Sequence, residues 1–145
     1  MKTSAWVVLG FAILTCGCGK EAGRVPFAAE GKADSTMTLS SGDVSFWTDL
    51  DIDHQGDAGL HYNVELLQGG AVVATTTCNP LGSMSVKTSW VETNLGDHHT
   101  RSGNGKMACS VKLPAGGATV VRAQLAFSKK PPTLTLKKAD LAVRQ

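Results

Sequence analysis

Val44-Ser45-Phe46-Trp47-Thr48-Asp49-Leu50-Asp51-Ile52-Asp53 is the stretch that decides the fold. Phe46, Thr48, Leu50 and Ile52 fall on one side of an extended chain, with Trp47, Asp49, Asp51 and Asp53 on the other. Successive side chains of a strand point to opposite faces, so this period of two predicts a half-buried β-strand with an acidic outer face. The same alternation recurs on both sides of it. Met37 and Leu39 alternate with Thr36, Thr38 and Ser40 before it. Tyr62, Val64 and Leu66 alternate after it, and the turn chemistry of residues 54–59 suggests that the two stretches form a hairpin.

Five more strands follow by the same reading. Ala71 to Cys78 is rich in β-branched residues. In Ser83 to Thr93, Met84, Val86, Thr88 and Trp90 share a phase, which assigns Trp90 to the core. Asn94 to Gly105 reads as a long polar loop. Lys106 to Leu113 places Met107, Cys109, Val111 and Leu113 on one face, and Ala118 to Ser128 aligns Val121, Ala123, Leu125 and Phe127. In Thr133 to Arg144 the phase changes between Leu134/Leu136 and Leu141/Val143, which calls for a bulge near Lys138. About eight short strands between Gly, Pro and Asn turns predict an all-β antiparallel β-sandwich, with a small closed β-barrel as the alternative. At this length there is one core.

The first residues carry a different message. Lys2 is followed by an apolar run, Ala5 to Leu14, and by Thr15-Cys16-Gly17-Cys18. A basic start, a short apolar run and a small-residue end form a secretory signal too short to span a bilayer. With a cysteine at the cleavage point, the segment resembles the signal of bacterial lipoproteins. That resemblance covers only these residues. It implies cleavage after residue 17, acylation of Cys18, and a protein held in the bacterial cell envelope without spanning it. Cys18 has the small Gly17 before it, although Thr15 stands where the pattern usually has Leu; Cys16, with Thr15 before it, fits less well. Each buried acyl methylene contributes about 0.8 kcal/mol, so two chains anchor stably. No Asp follows Cys18, which by analogy favours the outer membrane. Gly19 to Lys32, rich in Gly, Ala and charge, reads as a flexible tether. The expected organisation is therefore a signal over 1–17, a tether over 18–33 and a sandwich over 34–145.

Charge and cysteine usage narrow the function. A net charge of +2, together with the compartment, argues against nucleic-acid binding. Acidic residues crowd the first half and basic residues the last third, an arrangement that neighbouring strands would neutralise by pairing. Cys78 and Cys109 are left in an oxidising compartment, where such a pair forms a disulfide.

The chemistry-bearing residues are few. Asp49, Asp51 and Asp53 lack the glycine and the bidentate glutamate of a calcium loop. A site using Asp53 and Asp57 remains conceivable, but a solvated strand face is the simpler reading. His98 and His99 beside Asp97, with His54 and His61 elsewhere, fall short of the converging ligand set that zinc needs. No metal or other cofactor is expected. With no nucleophile elbow, no metalloprotease motif and no free cysteine nucleophile, an enzyme is not expected either. Trp47, on the acidic side of its strand, is the candidate binding residue, together with Asp49, Asp51 and Asp53. The sequence thus points to a non-enzymatic, lipid-anchored module that binds other envelope proteins. The alternative is a glycan-binding module that stacks sugars on Trp47.

Overall fold

The computed structural model describes residues 19–145; the expected signal over 1–17, Cys16 and Cys18 lie outside them. The described residues form nine strands: β1 (Glu21–Val25), β2 (Gly31–Leu39), β3 (Gly42–Gln55), β4 (Gly59–Gln68), β5 (Ala71–Cys78), β6 (Met84–Leu95), β7 (His98–Leu113), β8 (Gly117–Lys129) and β9 (Leu134–Arg144). They make two antiparallel sheets, one of five strands in the order β1-β9-β3-β7-β6 and one of four in the order β2-β8-β4-β5. The sheets are not closed into a barrel, and the fold is a β-sandwich.

The even residues of β3 build the core as their period demands: Phe46, Leu50 and Ile52 are buried against Leu60, Val64, Leu66, Val121 and Leu125 of the facing sheet. Thr48 is polar but equally buried, because it bonds across the sandwich. Its hydroxyl lies 2.9 Å from that of Tyr62, which in turn donates to the Ala139 carbonyl at 2.8 Å. Burial pushes the Tyr62 phenol well up, so it stays a neutral donor. The expected bulge near Lys138 is present: Asp51 pairs with Lys138 and Ile52 with Leu136, leaving Lys137 unopposed. The phase change in β9 follows from it.

Four expectations are corrected. Of the expected tether over 18–33, the described residues 19–33 belong to the folded domain. Glu21–Val25 pairs with β9, and β2 starts at Gly31, so the sandwich begins at residue 21 rather than 34. Val25 and Phe27 are core residues; their burial outweighs the glycine and charge around them. The first two long strands are not a hairpin either. Residues 56–58 cross from one sheet to the other, and β3 lies between β7 and β9. Period two shows that one face is buried, but it does not name the partner.

The expected polar loop over 94–105 is a hairpin, with β6 and β7 joined through Gly96 and Asp97. Gly96, at φ 63°, supplies the positive φ that a tight turn needs. Trp90, lastly, is only half-buried. It packs at the margin of the core cluster from β6, an edge strand that pairs only with β7.

The charges of the two halves pair between strands, as neighbouring strands allow: Asp49 with Lys138, Glu65 with Arg122, Glu30 with Lys130 and Glu92 with Arg101. Cys78 of β5 is bonded to Cys109 of β7, 31 residues apart, and the bridge joins one sheet to the other. Replacing both cysteines by alanine is expected to lower stability by roughly 3–4 kcal/mol. The loss would be read as a fall in the denaturation midpoint, with a steeper slope because the unbridged denatured chain exposes more surface. A midpoint unchanged within the ~0.5 kcal/mol of an ordinary surface substitution would contradict that role.

Candidate functional site

The outer face of the five-stranded sheet carries most of the residues singled out from the sequence. Trp47 is there, as its phase requires, yet it is only 3% exposed. The Arg144 guanidinium lies over the indole, 4.1 Å from its centroid, and closes it off from solvent. A tryptophan in this position offers no platform to a sugar ring. The expected role of Trp47 as a binding residue is therefore corrected: its contribution is to support Arg144.

Asp49 sits beside Asp140 in the β3–β9 register. Two carboxylates side by side repel, and two cations reconcile them. Arg24 Nη1 lies 3.2 Å from Asp49 and 3.4 Å from Asp140; Lys138 Nζ lies 2.6 Å from Asp49. Arg24 also grips Glu21 through Nε at 2.7 Å and holds the Glu21 carboxyl below its ordinary range. The other oxygen of Asp140 accepts the Phe27 amide at 3.1 Å, and Phe27 returns its carbonyl to the Ala139 amide at 2.9 Å. This network fastens the start of the domain to its last strand. It is a structural arrangement, and Asp49 is consumed by it.

Asp53 and Asp57 are not brought together as a ligand pair. His98 Nε2 lies 2.7 Å from Asp53, and Lys129 reaches Asp57 at 3.2 Å. His98 and His99 point to opposite faces, as adjacent strand residues must. His99 faces inward and stacks near His54, ring centroids 5.2 Å apart. His54 donates from Nδ1 to the Gly56 carbonyl at 2.7 Å, and His61 is on another strand of the other sheet. Among the described residues, no three His, Cys, Asp or Glu side chains converge to hold a metal.

Two surface features were not foreseen. The first is a stripe on β6. Ser89 and Trp90 together face Gly103 in the β6–β7 register, a bulge in which Ser89 takes φ 52°. Gly103, at φ 135°, makes it possible, since a Cβ there would overlap the Ser89 carbonyl oxygen. The bulge resets the alternation, so Val86, Val91 and Leu95 all emerge on the outer face, level with Lys106, Ser102 and His98 of β7. Val91 is 63% and Leu95 70% exposed. Read without the bulge, the alternation puts Val86 and Val91 on opposite faces, and the stripe is invisible.

On the inner side of the same strand, Trp90 lines a hollow of about 340 Å³ with Glu92, Arg101 and Lys87. Its Nε1 donates to Glu92 at 3.3 Å and, with Arg101 nearby, holds that carboxyl below its usual range. Lys87 covers the indole at 5.4 Å.

The second feature is a cleft of about 940 Å³ where β7 swings away from β3. Ser45 pairs with Ser110 and Trp47 with Lys106, so Phe46 alone faces Met107, Ala108 and Cys109. The two surplus residues bend β7 and open the cleft between Lys106, Ser110, Ser45, Arg144 and the chain start at Gly19 and Lys20. No protein-family model matches the chain, and no curated protein is significantly similar to it.

The Arg24 network makes a pH-dependent prediction. Glu21 contributes stability that is present above the ordinary carboxylate range and is lost as pH falls through its lowered folded-state value. Arg24→Met should therefore be less stable than the parent at neutral pH, with the gap closing below about pH 3 as the carboxylates are protonated. A gap that persists undiminished into acid would mean that Arg24 acts through packing of its stem instead.

Proposed function

We propose that this protein is a lipid-anchored, non-enzymatic module of the bacterial envelope, more specifically of the outer membrane, that docks another envelope protein on the outer face of β6. The observation that carries the docking is the stripe of Val86, Val91 and Leu95. Scattered exposed aliphatics are ordinary, but three aligned on one face of an edge strand, bordered by Thr88, Thr93 and Ser102, have the apolar centre and polar surround of a protein interface. Docking uses the face rather than the open edge. The Ser89–Trp90 bulge and Lys87 disrupt that edge, as native sheets do to discourage strand addition.

The anchor is supported by the lipoprotein-like start, Ala5 to Cys18. A glycan-binding role has lost its residue, since Trp47 lies under Arg144 and the indole of Trp90 is covered by Lys87.

Two measurements test this reading. Mass spectrometry of the protein extracted from its native membrane should find acyl chains on Cys18 and none after Cys18→Ser; lipid retained through Cys16 in that variant would contradict the anchor assignment. A photo-crosslinking residue at position 91 or 95 should trap one envelope protein reproducibly, and the same residue at position 72 should not. Val72 is the control because it is also exposed, at 50%, but lies on the other sheet. No adduct from 91 or 95, or equal trapping from 72, would contradict the docking face.

A further inference from the structure

The side chains of three cations, Lys20, Lys106 and Arg144, and of one acid, Asp43, line the cleft beside Arg144, together with the last residue, Gln145. None of the three cations makes an ion pair with a described residue. Glu21, the cross-strand neighbour of Arg144, has both oxygens committed to Arg24, at 2.7 and 3.1 Å. Arg144 Nε is buried without a hydrogen-bond partner among the described residues, and so is Trp47 Nε1 beneath it.

Unpartnered buried donors are rare in native structures and call for an explanation. Here Arg144 lines a basic cleft together with Ser45 and Ser110, and Trp47 lies beneath its guanidinium. A planar guanidinium held flat on an indole is a rigid fork suited to oxyanions.

Where the cleft lies identifies the anion's source. Gly19 forms part of its wall, and Lys20 exchanges both backbone hydrogen bonds with Gln145, at 2.7 and 3.1 Å. The chain start is thus fixed to the cleft. One residue spans at most about 3.6 Å, so a lipid on Cys18 would leave the cleft no slack from the headgroups.

We propose that the cleft binds a phosphate group, supplied by an anionic membrane lipid, with Arg144 and Lys106 as its principal ligands and Lys20 adding charge. The source rests on the Cys18 anchor; the oxyanion chemistry does not. The bound headgroup fixes the tilt of the domain on the bilayer, which an acyl anchor by itself leaves free.

The test removes the anchor, so that failure of the cleft and failure of the anchor are separable. The mature chain, exported behind an ordinary secretory signal with Cys18→Ser, contains every described residue and the disulfide. Its Trp90→Phe form leaves Trp47, under Arg144, as the sole tryptophan after signal removal, excited selectively over Tyr62. It is mixed with vesicles of phosphatidylglycerol and phosphatidylcholine, with vesicles of phosphatidylcholine alone, and with inorganic phosphate at matched ionic strength. The expected result is co-sedimentation with the anionic vesicles, accompanied by a change in Trp47 emission. Lys106→Gln and Lys20→Gln should each lower partitioning roughly fivefold, and Arg144→Gln should abolish the emission change.

Lys129→Gln and Lys130→Gln, at the opposite end of the sandwich, should leave binding as it was. The lysine variants keep the test decisive should Arg144→Gln fail to fold. An emission response to inorganic phosphate without vesicle binding would keep the oxyanion site and overturn the lipid as its source. Vesicle binding that falls equally with the distal lysines, or no response in any arm, would overturn the proposal.

Discussion

The docking of β1 onto β9 is the contact on which the rest of the structure depends. Glu21–Val25 completes one edge of the five-stranded sheet, and Phe27 closes the corner beyond it with both of its backbone groups bonded to β9. Without this strand, Val25 and Phe27 would leave the core, and Asp49 and Asp140 would lose Arg24 from between them. An edge strand of five residues has little cooperativity of its own. Its stability comes from two buried apolar side chains and from the charges that cross to β3 and β9. The consequence is positional: the chain enters the fold beside its last residues, so Gly19, Lys20 and the basic cleft occupy the same end of the molecule.

From that end the molecule divides into two surfaces on one sheet. The cleft lies where a two-residue surplus bends β7 away from β3. The aliphatic stripe lies along the β6 edge, where a second bulge brings Val86 and Val91 to the same side. Both features come from irregularities in a ladder that is otherwise regular, and both are on the face turned away from the core. The disulfide stands near the first bulge, so the same distortion that opens the cleft also carries Cys109 toward Cys78.

Much of the fold was legible because period two is imposed by the backbone. Val44 to Asp53 declares its buried side without ambiguity, Leu134 to Arg144 announces its bulge by a change of phase, and Cys78 and Cys109 are an isolated pair. What escaped the reading depends on tertiary cover. Glu21–Val25 has the composition of a linker, and only Val25 and Phe27, two residues apart, hint at a strand. Residues 94–105 carry mostly polar side chains on both faces of the hairpin, so nothing in the pattern distinguishes strand from loop. Trp47 was given its correct face, but Arg144 lies 97 positions away in sequence and its cover cannot be read from the pattern (144 − 47). The cleft and the stripe both follow from bulges at Met107–Cys109 and Ser89–Trp90, which a polar sequence does not announce.

The sandwich begins at residue 21, where β1 pairs with β9. Amide hydrogen exchange followed by mass spectrometry tests it most directly, comparing the segment 20–27 with β9 in the native protein. The account predicts that the two segments are protected together, with the Phe27 amide, bonded to buried Asp140, among the slowest of the segment. Exchange of 20–27 at the rate of an unstructured chain, while β9 stays protected, would contradict it and return these residues to the role of a linker.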